Sequence, residues 1–409
     1  MALKKQKLRL LDPEPDRIYF KDVTPWRLGG VKVKVTEDNE HLGQIVSGVS
    51  QEEKNIDLRL KKGRNNIFGM LGPAFSYKCL LSPSVKIHLF RTYTSPIIQS
   101  GLSSFALRTN LIEPLAIFQR KTLRGILNLS KYASTPAIHF ILGELPIEGK
   151  IHRDVFSLFF SIWRNPGSKI YKIVKYILET SQENSRTWAI HVKYLSAKYG
   201  LPDPLECLKN EPPSKNQYTE FVKTKISAYF EKSLREKSVN NSSMKYLNVS
   251  LTGLRGRQHP ALFNIMTTHE VKKARIHLKM LLGDYLTFHK KSTRSGGPAY
   301  CRCCSNSTSR NETLTHILTQ CDAYADIRKR MFPEFSQVCR ESKSGLNFDK
   351  ILESTEELSQ FILDPSSMNL TPRININDPV LNKLFKISRD YCYTINSTRF
   401  GLIQNKKEY

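Results

Sequence analysis

Four of the eight cysteines and one histidine fall between Cys301 and Cys321, in the run CRCCSNSTSRNETLTHILTQC. It reads as Cys-x2-Cys followed, after eleven residues, by His-x4-Cys. Thiolates and an imidazole at such spacing are the donors of a tetrahedral zinc site. Cys301 and Cys304 would supply two ligands from a tight turn, His316 and Cys321 two more from one helical face. Four protein ligands leave no position for substrate, so the Zn2+ implied is structural and not catalytic. The choice of Cys304 as second ligand rests only on the commoner two-residue spacer, and Cys303 stands as a bystander or a substitute. The residues between the pairs are Ser, Asn, Thr, Arg and Glu with a single Leu, which give little apolar reason to bury three cysteines together.

The chain carries 63 Lys+Arg against 37 Asp+Glu, a net charge of +26 spread over 409 residues. Charge of this size repels itself on folding, and phosphate backbones relieve it through counterion release. A nucleic acid is therefore the expected partner, with a merely basic, soluble surface as the plainer alternative. Sequence-specific recognition does not follow. With 40% hydrophobic and 10% aromatic residues the chain is rich enough for packed cores and is no disordered basic tail.

The N-terminus, MALKKQKLRLLDPEPD, has no apolar targeting core, and the longest apolar stretches, such as Phe156 to Trp163, are too short to span a bilayer. The expectation is an intracellular protein, nuclear or cytoplasmic, with no membrane partner. In that reducing setting Cys79, Cys207, Cys339 and Cys392 are expected to be unpaired, and sequons such as Asn248 and Asn306 carry no information.

The periodicity is mainly helical. Ser50 with Glu53 reads as a capping box before Ile56, Leu58, Leu60, Ile67 and Phe68, and Ser82-Pro83 as a second helix start. Further helices are expected from Ile112 to Ile126, from Ile151 to a stop at Asn165-Pro166-Gly167, from Tyr218 to Arg235, from Thr268 to Phe288, from Ile351 to Phe361 and from Leu381 to Tyr393. Only Val31–Val35 and Leu42–Val46 read as strands, a short N-terminal β pair. Ser238–Ser243 and Arg255–Pro260 read as loops.

Basic residues flank several of these apolar stripes. In Thr268–Phe288 the face Val271, Ala274, Leu278, Leu281, Leu282 and Tyr285 lies opposite Lys272, Lys273, Arg275 and Lys279, so burying one face presents the other. Lys61, Lys62 and Arg64, and likewise Arg120, Lys121 and Arg124, sit beside apolar stripes in the same way. Each group is a candidate phosphate contact or a solvated face.

Catalytic patterns are missing. Phosphoryl transfer on a growing strand needs carboxylates holding two Mg2+ ions, and the chain has no Asp-Asp pair. It also lacks a Gly-x4-Gly-Lys phosphate loop, a Gly-x-Ser-x-Gly elbow and a His-Glu-x2-His pair. His88, His139, His152 and His191 read as isolated structural histidines.

Glu40-His41-Leu42-Gly43-Gln44-Ile45 resembles the Tyr-Leu-Gly turn after the palm of LINE-type, non-LTR retrotransposon reverse transcriptases, with His41 in place of the Tyr. Asn55 and the helix that follows, Ser82-Pro83-Ser84-Val85-Lys86, Pro96, Ser100-Gly101-Leu102 and Phe118–Arg124 resemble the thumb of that family. Leu142–Ile147, Tyr194–Pro204 and Lys279-Met280-Leu281 resemble its linker, and the Cys/His run with Cys321–Arg328 its CCHC zinc knuckle. The resemblance covers about residues 30 to 335, without the Asp-Asp box.

It implies a mainly α protein: a helical thumb-like bundle, a short N-terminal β pair, a helical linker and a small zinc knuckle. The segments would be 1–48 as the last palm strands, 49–205 as the thumb, 206–295 as a basic linker, 296–335 as the knuckle and 336–409 as C-terminal helices of no assigned role. By the same resemblance the chain would be a C-terminal reverse transcriptase fragment gripping RNA, RNA–DNA or DNA duplex by phosphate contacts and not polymerising alone. The rest of a retrotransposon polyprotein would be a further partner. Two alternatives stand beside it, a subunit active only with a palm supplied in trans and a domesticated zinc-binding scaffold for a protein partner.

Overall fold

A computed structural model describes residues 27–28, 30–32, 38–70, 72–75, 79–182, 185–238, 244–249, 253–297, 299–304, 311–341, 347–368 and 378–405. Among them the protein is mainly helical, with two short antiparallel strand pairs near the N-terminus, Arg27–Leu28 with Val31–Lys32 and Asp38–His41 with Gln44–Ser47. One β pair was expected. The end of the first expected strand (33–35), most of the expected loop after Ser238 (239–243) and Asn306 lie outside the described residues.

The chain forms two compact units. The first comprises Met1–Met70, Thr92–Phe118 and Ile147–Val222, the second Leu71–Arg91, Gln119–Pro146 and Lys223–Tyr409. They interleave in sequence, whereas the five segments that the resemblance implies are consecutive. The stretch 49–205 is divided between the units, and the metal-binding run shares its unit with the C-terminal residues.

In the first unit the turn at Leu42-Gly43 closes the hairpin in which His41 pairs with Gln44 and Asp38 with Ser47. Leu42 (φ 48°) and Gly43 (φ 78°) both have positive φ, as a two-residue turn matching strand twist requires. The hairpin is fixed to helix Gln51–Asn65 by Asn55, whose carboxamide accepts from the Ile45 amide at 2.9 Å and donates to the Ile45 and Gln51 carbonyls at 2.7 and 2.8 Å. Arg59 donates to the Gly43 carbonyl at 2.7 Å. Gly63 lets this helix approach Ser95–Gln99: a Cβ there would lie 2.5 Å from Ile98 Cγ2. The expected capping box is absent, because Ser50 takes φ 51° and its side chain makes no cap bond. Phe68, expected on the buried stripe, is 76% exposed. The second start does form, with Ser82 accepting from the Val85 amide and Pro83 in the first turn.

The second unit is organised around Pro379–Asn405, which packs on Thr268–Leu281 and on Ala325–Glu341. Phe335 stacks on Phe348 at 5.9 Å and meets Phe361 edge-on at 5.4 Å, with Tyr391 of the last helix beside them. Residues 336–409, given no role from sequence, thus supply much of this core. The helix expected to run from Thr268 to Phe288 stops at Leu281, because Gly283 (φ 64°) turns the chain and Asp284 and Tyr285 both bond back to the Lys279 carbonyl. Thr287 then caps a separate helix, Phe288–Ser295. The single helix expected over 351–361 is two, Phe348–Leu352 and Thr355–Leu363, divided where Ser354 caps the second.

Candidate metal centre

Cys301 and Cys304 follow Tyr300, which bridges to Asn311, and the Glu312 amide donates to the Ala299 carbonyl at 2.8 Å, so the first ligand pair leaves a closed turn. His316 and Cys321 bracket a π-helical turn, His316–Gln320, in which the Cys321 amide donates to the His316 carbonyl at 2.8 Å. The π geometry explains the His-x4-Cys spacing. Residues five apart in an α-helix point about 140° away from each other, whereas an i→i+5 turn returns them to one side.

All four side chains are buried, and their donor atoms lie within 4.8 Å of one another. Cys301 Sγ is 3.8 Å and Cys304 Sγ 3.5 Å from Cys321 Sγ, and Cys304 Sγ is 3.1 Å from His316 Nε2. A tetrahedral zinc with Zn–S of about 2.3 Å and Zn–N of about 2.0 Å needs S–S edges of about 3.8 Å and S–N edges of about 3.5 Å. The two S–S separations are close to such edges and the S–N separation is shorter, and the four donors lie near enough together to hold a metal ion. Cys304 belongs to this group and Cys303 does not. Cys303 forms a different buried group with Cys301 and Glu312.

Electrostatics set Cys301 apart from the other thiols. Its thiol is pushed far below the ordinary range because Cys303, and next Cys321, hydrogen-bond to its thiolate. Those same bonds push Cys303 and Cys321 up, and burial raises Cys304. Metal binding would deprotonate the thiols of such a site and release their protons.

Several supports went unread in the sequence. Glu312 is fully buried, receives both Nε and Nη2 of Arg399 at 3.0 and 2.7 Å, and accepts from the Phe288 amide at 2.6 Å. Tyr391 donates to the Leu318 carbonyl, and Arg328 to the Cys321 carbonyl at 2.8 Å. Arg399 and Tyr391 both lie on Pro379–Asn405. No local pattern marks a partner 87 residues from Glu312.

The expected phosphate contacts are placed unevenly. Lys61 and Arg64 are exposed, while Lys62 pairs with Glu40 at 3.2 Å. Lys121 is exposed, and Arg120 is half-buried. Arg124 is turned inward, giving Nε and Nη2 to the Ala133 carbonyl and Nη2 to Thr135. On Thr268–Leu281, Lys272 is exposed and Lys279 half-buried. Lys273, however, pairs with Asp390 at 2.6 Å, and Arg275 donates to the Cys79 carbonyl at 2.5 Å. The four-cation face expected there has two members committed to internal contacts.

His152 and His191 are not isolated, since their rings lie 6.1 Å apart and Tyr199 meets His152 Nδ1 at 2.6 Å. Cys79, Cys207, Cys339 and Cys392 are free thiols, as expected. No described helix is long and apolar enough to cross a membrane. No protein-family model matches the chain, and neither the curated proteins nor the solved structures contain a match.

Proposed function

We propose that the protein holds one structural zinc ion and binds RNA or an RNA–DNA duplex through phosphate contacts. It would act as the thumb, linker and CCHC knuckle of a LINE-type reverse transcriptase act, and it would not polymerise by itself. The observation that carries the reading is the buried Cys301, Cys304, His316, Cys321 cluster, its donor atoms within 4.8 Å of one another, in a chain of net charge +26. Soft thiolate and imidazole donors favour zinc over harder ions, and a closed site contributes its binding energy to folding. The hairpin turn at Leu42-Gly43 and its Asn55 anchor are in keeping with the resemblance.

Metal analysis of protein purified without added zinc should give one equivalent per chain. Cys321→Ser and Cys304→Ser should lose it, and Cys303→Ser should keep it. Absence of metal in the wild type, or full retention in Cys304→Ser, would contradict the assignment.

A second reading, a zinc-stapled scaffold for a protein partner, gains from the commitment of Lys273 and Arg275 to internal partners. It predicts nucleic-acid affinity that is weak and insensitive to salt.

A further inference from the structure

In the first unit a furrow of about 480 Å³ lies between the end of helix Ile147–Trp163 and the first turn of helix Lys215–Ser238. Arg164 and Asn165 stand on one side, Lys215 and Thr219 on the other, and no carboxylate lines it. Neither Arg164 nor Lys215 has a carboxylate partner among the described residues, and both are exposed. The floor is aromatic: Phe160 and Tyr218 stack at 4.6 Å, Trp163 meets both rings at about 6 Å, and the Arg164 guanidinium lies 5.9 Å from the Phe160 centroid.

The lining has one chemical character. Ser157 and Ser161 turn their hydroxyl protons onto their own helix, to the Arg153 and Ser157 carbonyls. The donors left to a ligand include the two cations, the Thr219 hydroxyl and the amides of a helix first turn, where Ser214 already caps Gln217 at 3.3 Å. These are the groups that contact phosphate and sugar in nucleic-acid complexes, and the positive end of a 24-residue helix adds to them. Two unpaired cations over an aromatic floor disfavour a cationic ligand, and the polar rim disfavours an apolar one.

We propose that this furrow seats a backbone phosphate of the bound nucleic acid, a contact no charge pattern in the sequence marked. The proposal rests on the nucleic-acid reading given above. A free nucleotide offers the same phosphate chemistry, and the test separates the two sources.

The full chain and its Arg164→Ala/Lys215→Ala variant are titrated with an RNA 20-mer and the matching RNA–DNA duplex over a range of KCl, with circular dichroism confirming equal folding. Loss of the one seated phosphate should make the slope of log affinity on log salt shallower by about 0.7 on the single strand and about 0.9 on the duplex. Arg164→Lys/Lys215→Arg should restore it. A double-alanine slope equal to a steep wild-type slope overturns the furrow and leaves the nucleic-acid reading standing. A wild type whose binding ignores salt overturns both. Uridine monophosphate that quenches tryptophan fluorescence in the wild type but not in the double-alanine variant, together with polymer binding indifferent to the variant, would assign the furrow to free nucleotides and overturn the backbone contact.

Discussion

Cys303 and Cys304 are adjacent in sequence, yet only one of their thiols reaches the four-ligand cluster. The spacer rule favours Cys304, and the geometry agrees. Cys303 faces Cys301 and Glu312 instead. Histidines show a second residue-scale effect. His277 is fully buried, its Nε2 lies 2.8 Å from the Leu363 carbonyl, and burial, aided by Arg389, lowers its pKa from 6.5 to about 4. The imidazole is thus neutral in the folded chain and charged in the unfolded chain below about pH 6.5, so protons are taken up on unfolding. Stability should fall as pH drops from about 6.5 toward about 4, where this contribution to the loss is complete. The full effect of the group is about 3 kcal/mol. Burial depresses His191 to about 4 and His152 to about 3, so both act in the same direction. Urea midpoints measured at pH 7 and pH 5 should separate clearly, and His277→Gln should narrow the gap. A variant with an unchanged gap would show that His277 does not drive the acid sensitivity.

Elements were legible where the signal was local. Ser82-Pro83, the stop at Asn165-Pro166-Gly167 and the apolar spacing of residues 112–126 each dictate their helix through nearby backbone groups. Ser50 shows the limit, because its backbone serves the hairpin-to-helix turn and its hydroxyl loses the cap. The candidate metal ligands could be read from spacing alone, but the π turn that brings His316 and Cys321 to one side could not. The same holds for Gly143. It ends helix Thr135–Leu142 at φ 60°, and its carbonyl accepts from the Gly256 amide at 2.8 Å and from Arg91 at 3.2 Å. Arg91 also pairs with Glu144 at 2.8 Å and donates to the Leu142 and Gly256 carbonyls. A Cβ on Gly143 would lie 2.0 Å from the Arg257 carbonyl oxygen, which cannot move without breaking this network. Gly143→Ala should therefore cost on the order of 2–4 kcal/mol, through strained φ and a backbone clash together. Chemical denaturation followed by circular dichroism checks this, and a midpoint shift no larger than that of Gly125→Ala, which has open space around it, would contradict it.

At the scale of the molecule the two units interleave, and this long-range order left little trace in the sequence. Contacts such as Glu312 with Arg399 and Phe335 with Tyr391 join residues separated by dozens of positions, and no local pattern announces them. They explain why residues 336–409 had no evident role when read alone, although they wall the metal centre. The net charge of +26 was fully legible, but which cations are free was not. Lys273, Arg124 and Arg275 are engaged internally, while Lys61, Arg64, Lys121 and Lys272 remain exposed without partners among the described residues. If those exposed cations neutralise phosphates, affinity must track counterion release. The most direct test is the equilibrium affinity of the zinc-loaded chain for an RNA–DNA duplex between 50 and 200 mM salt. At about 0.9 per phosphate contact, four to six contacts predict a linear fall of log affinity on log salt with a slope near −4 to −5. A flat dependence across that range would contradict the account and leave the charge as a solvated surface.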